Sequence, residues 1–249
     1  VLKSNKVNYW TGVEGKAFEV EFSKFTNTKY SIALMNGTVA LDLALYGLGI
    51  GIRNGGCLED EVIVTPRTFI ASVSAIINAG ARPIFADVDK DSQNITPKTI
   101  MDKINSNTRG VLCVHLAGWP CDIDGIRDLV GKDIKIIEDC AQAHGSVYKN
   151  KPVGGLGDVA AWSFCQDKIM TTGGEGGMVT CNDELLWRKM WAFKDHGKSF
   201  NAIYERDHPP GFKWVHDDFG TNFRMTEMQS AIGLIQLRRM MDWTSKRNN

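Results

Sequence analysis

Three stretches of the chain hold residue types whose chemistry exceeds what packing needs. Residues 159–177 read VAAWSFCQDKIMTTGGEGG. An apolar run stops at Phe164, Lys168 follows within a few residues, and a glycine-rich turn comes next. A primary amine there can form an imine or act as a base. Taken alone, Lys168 reads more simply as a surface-loop lysine, and GGEGG as a tight turn. Residues 134–145 read IKIIEDCAQAHG. Asp139 stands where an apolar run gives out, so its carboxylate can bind a metal, cap a helix or pair with a cation. Residues 33–45 read ALMNGTVALDLAL. Asn36-Gly37-Thr38 precede an amphipathic helix whose free amides form an anion site, with the Thr38 hydroxyl beside them. An ordinary capped helix explains that stretch equally well by itself.

One cofactor chemistry needs all three at once. Pyridoxal 5′-phosphate (PLP) requires a lysine for a Schiff base, an acid paired with its ring nitrogen, and a cup for its phosphate. The acid keeps the ring protonated so that it accepts electrons from a carbanion at the substrate Cα. The chain supplies the cup, then Asp139, then Lys168 twenty-nine residues later.

These residues must be positioned by regular elements, and the sequence predicts them. Strands are expected over 61–64, 83–88, 110–115, 134–138, 159–164 and 177–181. Helices are expected over 68–78, 122–130, 183–193 and 226–243. A further helix is expected from Thr96, an N-cap followed by Pro97 at the first helical position, to about Ile104. The alternation implies an α/β fold, a mostly parallel central sheet with helices on both faces. Functional residues then gather at the carboxyl ends of the strands. Residues 198–216, with Pro209-Pro210-Gly211, read as a long surface loop.

Composition narrows the function classes. The formal net charge is +0 and hydrophobic residues make up 43%. No basic surplus points to nucleic acid and no acidic excess to disorder. No run approaches the ~18 apolar residues of a membrane span. The six cysteines form no C-x-x-C pair, so no metal site is expected. They read as reduced thiols of a cytoplasmic protein.

The chain resembles the DegT/StrS-type (DegT/DnrJ/EryC-like) nucleotide-sugar aminotransferases, of the aspartate-aminotransferase fold type I. The matching stretches run in family order: FEVEF at 18–22, MNGTVALDLAL at 35–45, DEVIVTPRTFIAS at 60–72 and VHLAGWPCDID at 114–124. IEDCAQAHGSVYKNKPVGGLGD at 137–158, FCQDKIMTTGGEGGMV at 164–179 and GTNFRMTEMQSAIGLIQL at 220–237 follow. The resemblance implies a three-layer α/β/α large domain over 31–237, with an N-terminal segment, 1–30, packed on it. Residues 238–249 would begin a linker helix to a smaller C-terminal domain, which this chain is expected to lack. It implies Lys168 as the Schiff-base lysine and Asp139 as the acid at the pyridine nitrogen. It likewise implies Gln142 near the 3-hydroxyl, Phe69 stacked on the ring, and Gly37, Thr38 and Ser163 as phosphate contacts. Asn222 reaches the phosphate of a partner subunit, so the family resemblance implies a homodimer with shared sites.

The implied reaction is transamination of a nucleotide-linked keto sugar, with L-glutamate as donor and PLP/PMP as carrier, in amino-sugar synthesis for cell-surface glycans. His115, His144 and Trp119 lie in matched stretches, and a hydrogen-bonded structural role suits both histidines as well as proton transfer. Trp10 and Thr11 match a segment lining the sugar pocket, although packing is the simpler role. Residues 52–60 predict a longer loop than the family's usual tight turn. Two other functions stay open: a sugar dehydratase, whose members carry histidine where Lys168 stands, and a truncated, inactive fragment of the fold. A dinucleotide-binding protein is disfavoured, because no strand leads into G-x-G-x-x-G with an acid about 20 residues on.

Overall fold

The computed structural model describes residues 1–207 and 215–248. Nine strands are defined among them: β1 (Tyr30–Leu34), β2 (Glu61–Val64), β3 (Arg82–Phe85), β4 (Thr108–Val114), β5 (Lys135–Asp139), β6 (Val147–Tyr148), β7 (Lys151–Pro152), β8 (Val159–Ser163) and β9 (Gly177–Cys181). The α-helices are α1 (Glu14–Thr26), α2 (Gly37–Leu48), α3 (Ala71–Asn78), α4 (Pro97–Ile100), α5 (Ile123–Val130), α6 (Glu184–Lys194), α7 (Phe200–Tyr204), α8 (Glu227–Arg238) and α9 (Met240–Asn248). Seven strands form one sheet in the order β1-β9-β8-β5-β4-β2-β3, and β6 and β7 form a separate hairpin. Only β9 runs against its neighbours in the large sheet. The expected mostly parallel α/β/α architecture is the one found.

The central strands are apolar on both faces, as a sheet covered twice must be. Val62, Val64, Leu112, Val114 and Ile137 pack beneath α2, α3 and α6. On the opposite face, Ala160, Trp162 and Met178 meet Phe18 and Phe22 of α1 and Leu234 and Leu237 of α8. Ile63, Val111 and Ile136 meet α4 and α5 through Ile100, Ile123 and Ile126. Each fully buried side chain of this size contributes roughly 1.5–3 kcal/mol.

Several elements differ from expectation. The helix expected from residue 68 begins at Ala71, so Phe69 and Ile70 precede it and stay exposed. The helix expected over 226–243 divides at Arg239, whose amide bonds back to Gln236 and Leu237 and tightens the last turn of α8. The expected loop 198–216 contains α7, capped by Ser199, while its Pro209-Pro210-Gly211 lies outside the described residues. Residues 52–60 form a 3-10 turn (Ile52–Asn54) and a loop closed by Asp60, which accepts from the Gly51 and Cys57 amides.

Helix α1 and strand β1 had no counterpart among the expected elements. The start of α1 has no side-chain cap of its own. Glu227 of α8, fully buried, accepts instead from the Glu14 and Gly15 amides at 2.6 and 3.0 Å. A carboxylate at a helix N-terminus is favoured by the helix dipole. The segment before α1 is tied down by Trp10, whose indole donates to the buried Asp195 at 2.7 Å.

Candidate active site

A cavity of about 670 Å³ opens at the carboxyl ends of β5 and β8 and the first turn of α2. Gly37, Thr38, Phe69, Asp139, Gln142, Ser163 and Lys168 all line it. The register explains the convergence. Val114, Asp139 and Ala161 are partners across β4, β5 and β8 and share one face. Glu138, one residue earlier, faces the other side.

The anion cup is built by close approach. Asn36 caps α2 by accepting from the Val39 amide at 3.0 Å, which leaves the first amides of the helix open. A Cβ on Gly37 would lie 2.6 Å from the Ser163 Cβ. Glycine is therefore what lets the helix start sit against the end of β8, with the Ser163 hydroxyl beside it.

Asp139 is buried, and burial pushes its carboxyl above the usual range despite the hydrogen bonds and nearby charge that oppose it. The Ser72 hydroxyl donates to it at 2.7 Å, the Ala141 amide at 3.1 Å, and the Lys168 charge adds attraction. Ser72 in turn shares a hydrogen bond with Thr68 at 2.8 Å. A desolvated carboxyl so held is suited to a cationic nitrogen brought into the cavity. Lys168 rests 3.1 Å from the exposed Asp167 carboxylate. Gln142 accepts from the Ala117 amide at 2.7 Å, and Phe69 presents a largely exposed ring. The donors, acid and amine present fit a PLP-sized phosphorylated pyridine.

The remaining singled-out residues lie elsewhere. Asn222 is exposed and off the cavity, bridged through its backbone to Asp195. Trp119 is 65% exposed and does not line the cavity. Trp10 packs edge-on to Tyr9 and Trp191, and the Thr11 hydroxyl bonds to the Asn8 carbonyl, so neither faces the cavity.

His115 is fully buried: Nε2 pairs with Glu138 at 3.0 Å and Nδ1 accepts from the Cys121 amide at 3.0 Å. Burial opposes a charge on this ring, while its bonds to Cys121, Cys140 and Glu138 favour one and prevail in the balance. The Cys121 amide nevertheless occupies the Nδ1 lone pair and leaves no room for a second ring proton. The neutral ring with its proton on Nε2 is therefore assigned from the bonding pattern. His115, Glu138 and Cys140 come within 4.8 Å of one another. The Glu138 oxygens, however, already accept from three backbone amides as well as His115.

His144 is buried against Trp162 and Phe164, and neither ring nitrogen makes a hydrogen bond of good geometry, the Ser163 backbone offering only a weak opposing contact. Burial pushes its pKa down to about 3. Between that value and ~6.5, the unfolded chain binds a proton that the native ring refuses, so stability falls as pH drops. The loss is about 1.4 kcal/mol per pH unit. His144→Leu removes this dependence: between pH 7 and 5 it should lose about 2 kcal/mol less than the parent in urea melts. Parallel pH profiles would show that the ring titrates in the native state.

Ser72, Thr68 and Asn36 also line the cavity, and of these the sequence singled out neither Ser72 nor Thr68. The stretch TFIAS placed Ser72 beside Phe69, but nothing local ties it to Asp139.

Comparison with known proteins agrees with this geometry. At 42% identity over 98% of this chain, it is similar to GDP-perosamine synthase of Escherichia coli O157:H7. The solved aminotransferase of Psychrobacter cryohalolentis superposes with a TM-score of 0.95 and 62% identity, covering 100% of this chain and 62% of that one. A GDP-4-keto-6-deoxymannose-3-dehydratase with a trapped PLP-glutamate geminal diamine superposes at 0.84 with 25% identity, covering 96% of this chain and 64% of that one. The chain spans about three fifths of the length of the curated relatives it matches, 61% for the Escherichia coli protein. The sequence pattern of the DegT/DnrJ/EryC1/StrS aminotransferase family matches residues 1–249, and the chain belongs to that family.

Proposed function

We propose that this chain forms the cofactor-binding part, residues 31–237, of a PLP-dependent enzyme that transfers an amino group from an amino acid to a nucleotide-linked keto sugar. The observation that carries the reading is the convergence of Lys168, Asp139 and the Gly37-Thr38-Ser163 cup on one cavity. PLP, when bound, supplies an electron sink and a carrier for the amino group. Gly37, Thr38 and Ser163 hold its phosphate, and Asp139 keeps its ring nitrogen protonated, steadied by Ser72. Phe69 and Gln142, which line the same cavity, would help hold the cofactor. Lys168 would anchor it, and its amine would move the proton at the donor Cα as base and then acid.

The nucleotide-sugar class rests on the similarity to GDP-perosamine synthase, and the donor is taken as L-glutamate. A homodimer, with Asn222 reaching the partner's cup, is the reading that the family resemblance supports, and the exposed position of Asn222 is compatible with it. No helix among the described residues is long and apolar enough to cross a membrane, and all six cysteines are free. Both observations suit an enzyme of the cytoplasm that serves surface-glycan synthesis. Residues 1–30 pack on the same folded unit through Glu227 and Asp195, and 238–248 lead on from it.

The experiment is an absorbance titration of the PLP-loaded protein with L-glutamate. The band of the lysine-bound cofactor should fall as that of the aminated cofactor rises, and a keto sugar nucleotide should reverse the change. A sugar that loses oxygen without gaining nitrogen would turn the assignment to dehydration.

A further inference from the structure

A second concavity, of about 480 Å³, shares no lining residue with the Lys168 cavity. It lies against Tyr30 and Ser31, where β1 begins. The catalytic set sits where β5 and β8 end, and those strands run the same way as β1. The two openings are therefore at opposite ends of the sheet.

Aromatic rings make the wall of this trough. Tyr30 and Trp187 stack at 4.9 Å with planes 20° apart. Phe200 stands edge-on to Trp187 and Trp191, each at 5.0 Å, and lies 4.8 Å from Tyr204. The Trp187 indole N–H is a donor with no partner. Lys16, Lys24 and Lys29 stand around the rim, all exposed. Among the described residues none of the three has a carboxylate within ion-pair distance.

The acids near these lysines are engaged elsewhere: Glu21, which attracts Lys24, is paired with Arg238 at 2.6 Å. Glu19 is spent on the Tyr9 hydroxyl and the Ala33 amide, and burial pushes its carboxyl toward the neutral form. Glu184 and Glu205 are both paired with Arg188.

This combination selects one chemical class. Aromatic walls attract organic cations, but a cation here would meet three ammonium groups. A neutral sugar could stack on the rings and leave the charges without use. A planar heterocycle carrying phosphates satisfies both: the ring stacks, and the phosphates take charge-assisted hydrogen bonds from lysine. We propose that the trough is a nucleoside diphosphate site, separate from the catalytic cavity, with the base against the aromatic wall and the phosphates toward Lys24 and Lys29. The proposal stands whether or not the reaction at Lys168 uses a nucleotide sugar.

The test is a titration of the PLP-loaded protein with GDP, read by quenching of tryptophan fluorescence and by the number of GDP bound per chain. Binding to the trough should be saturable. The surface double variant Lys24→Glu/Lys29→Glu should weaken it at least about tenfold. Tyr204→Ala, which removes a half-exposed ring, should weaken it several-fold. Both variants should keep the parent's melting temperature, cofactor absorbance and turnover. If a second GDP binds at the Lys168 cavity, that event should survive both variants unchanged. Equal GDP affinity of parent and variants at every site would overturn the proposal. So would pyrophosphate binding as tightly as GDP, since the rings would then contribute nothing, or no saturation below about 1 mM.

Discussion

Lys168→Ala should abolish transamination while leaving the fold intact. The lysine is the one amine lining the cavity among the described residues, and on our reading it both anchors the cofactor and moves the proton at the donor Cα. Positioned proton transfer alone is worth ~10²–10⁴ in rate. Loss of the covalent anchor adds to this, so kcat should fall at least about 10³-fold, or ~4 kcal/mol of barrier. The side chain is partly exposed and its salt bridge runs to the exposed Asp167. Such a pair is worth little, so stability should stay within ~0.5 kcal/mol of the parent. The variant should still bind PLP through the Gly37-Thr38-Ser163 cup and Asp139, but without the band of the lysine-bound cofactor. Turnover within tenfold of the parent would remove Lys168 from the mechanism.

The largest effect on stability is expected one residue before Asp139. Glu138 is fully buried and accepts from Gly154, Leu156 and Gly157 amides at 2.8–2.9 Å and from His115. Burial alone would raise its pKa, but His115 and the amides outweigh it and hold the carboxyl below its usual value. The group is therefore ionised in the native state. It adds stability above its unfolded pKa, and that contribution is lost as pH falls through the folded value. Glu138→Ala strands three backbone donors and the His115 proton in the interior. Removing one partner from such a buried set costs about 3–5 kcal/mol. For a chain of this size the melting temperature should drop by roughly 6–20 °C. Glu138→Gln keeps an acceptor oxygen and should lose less. Thermal and urea melts check both, and a Glu138→Ala variant within ~1 kcal/mol of the parent would show that these bonds are replaced by water.

Glu138 and Asp139 show how strand geometry separates structure from chemistry. Adjacent residues on a strand face opposite sides of the sheet. Asp139 therefore enters the cavity, while Glu138 ties the 154–157 turn to the far face. Both carboxylates ended the same apolar run in the sequence, and Asp139 was singled out because its place after that run fits a strand end, its order with the cup and Lys168 fits PLP, and it matches the family's acid.

What the sequence determined by itself is local. Apolar runs of four to six residues marked β2, β4, β5, β8 and β9. Asn36 and Thr96 marked helix starts, because a cap and its helix lie within three residues of each other. The ordered appearance of an anion cup, an acid and a lysine was likewise legible, and family motifs then named their roles. The break at Arg239 was not legible, since no proline or glycine marks it.

Only the tertiary structure decided which residues meet. Ser72 and Asp139 are 67 positions apart. They touch because α3, packed on β2 and β3, begins over the face of the sheet that Asp139 shares. Glu227 caps α1 from 212 positions away. For His115 the sequence left a structural role and proton transfer both open, and the register turns it toward Glu138 and away from the cavity. Local spacing encodes which element forms and where it ends. Strand order and face are set by burying both sides of one sheet at once, a condition that no short stretch carries.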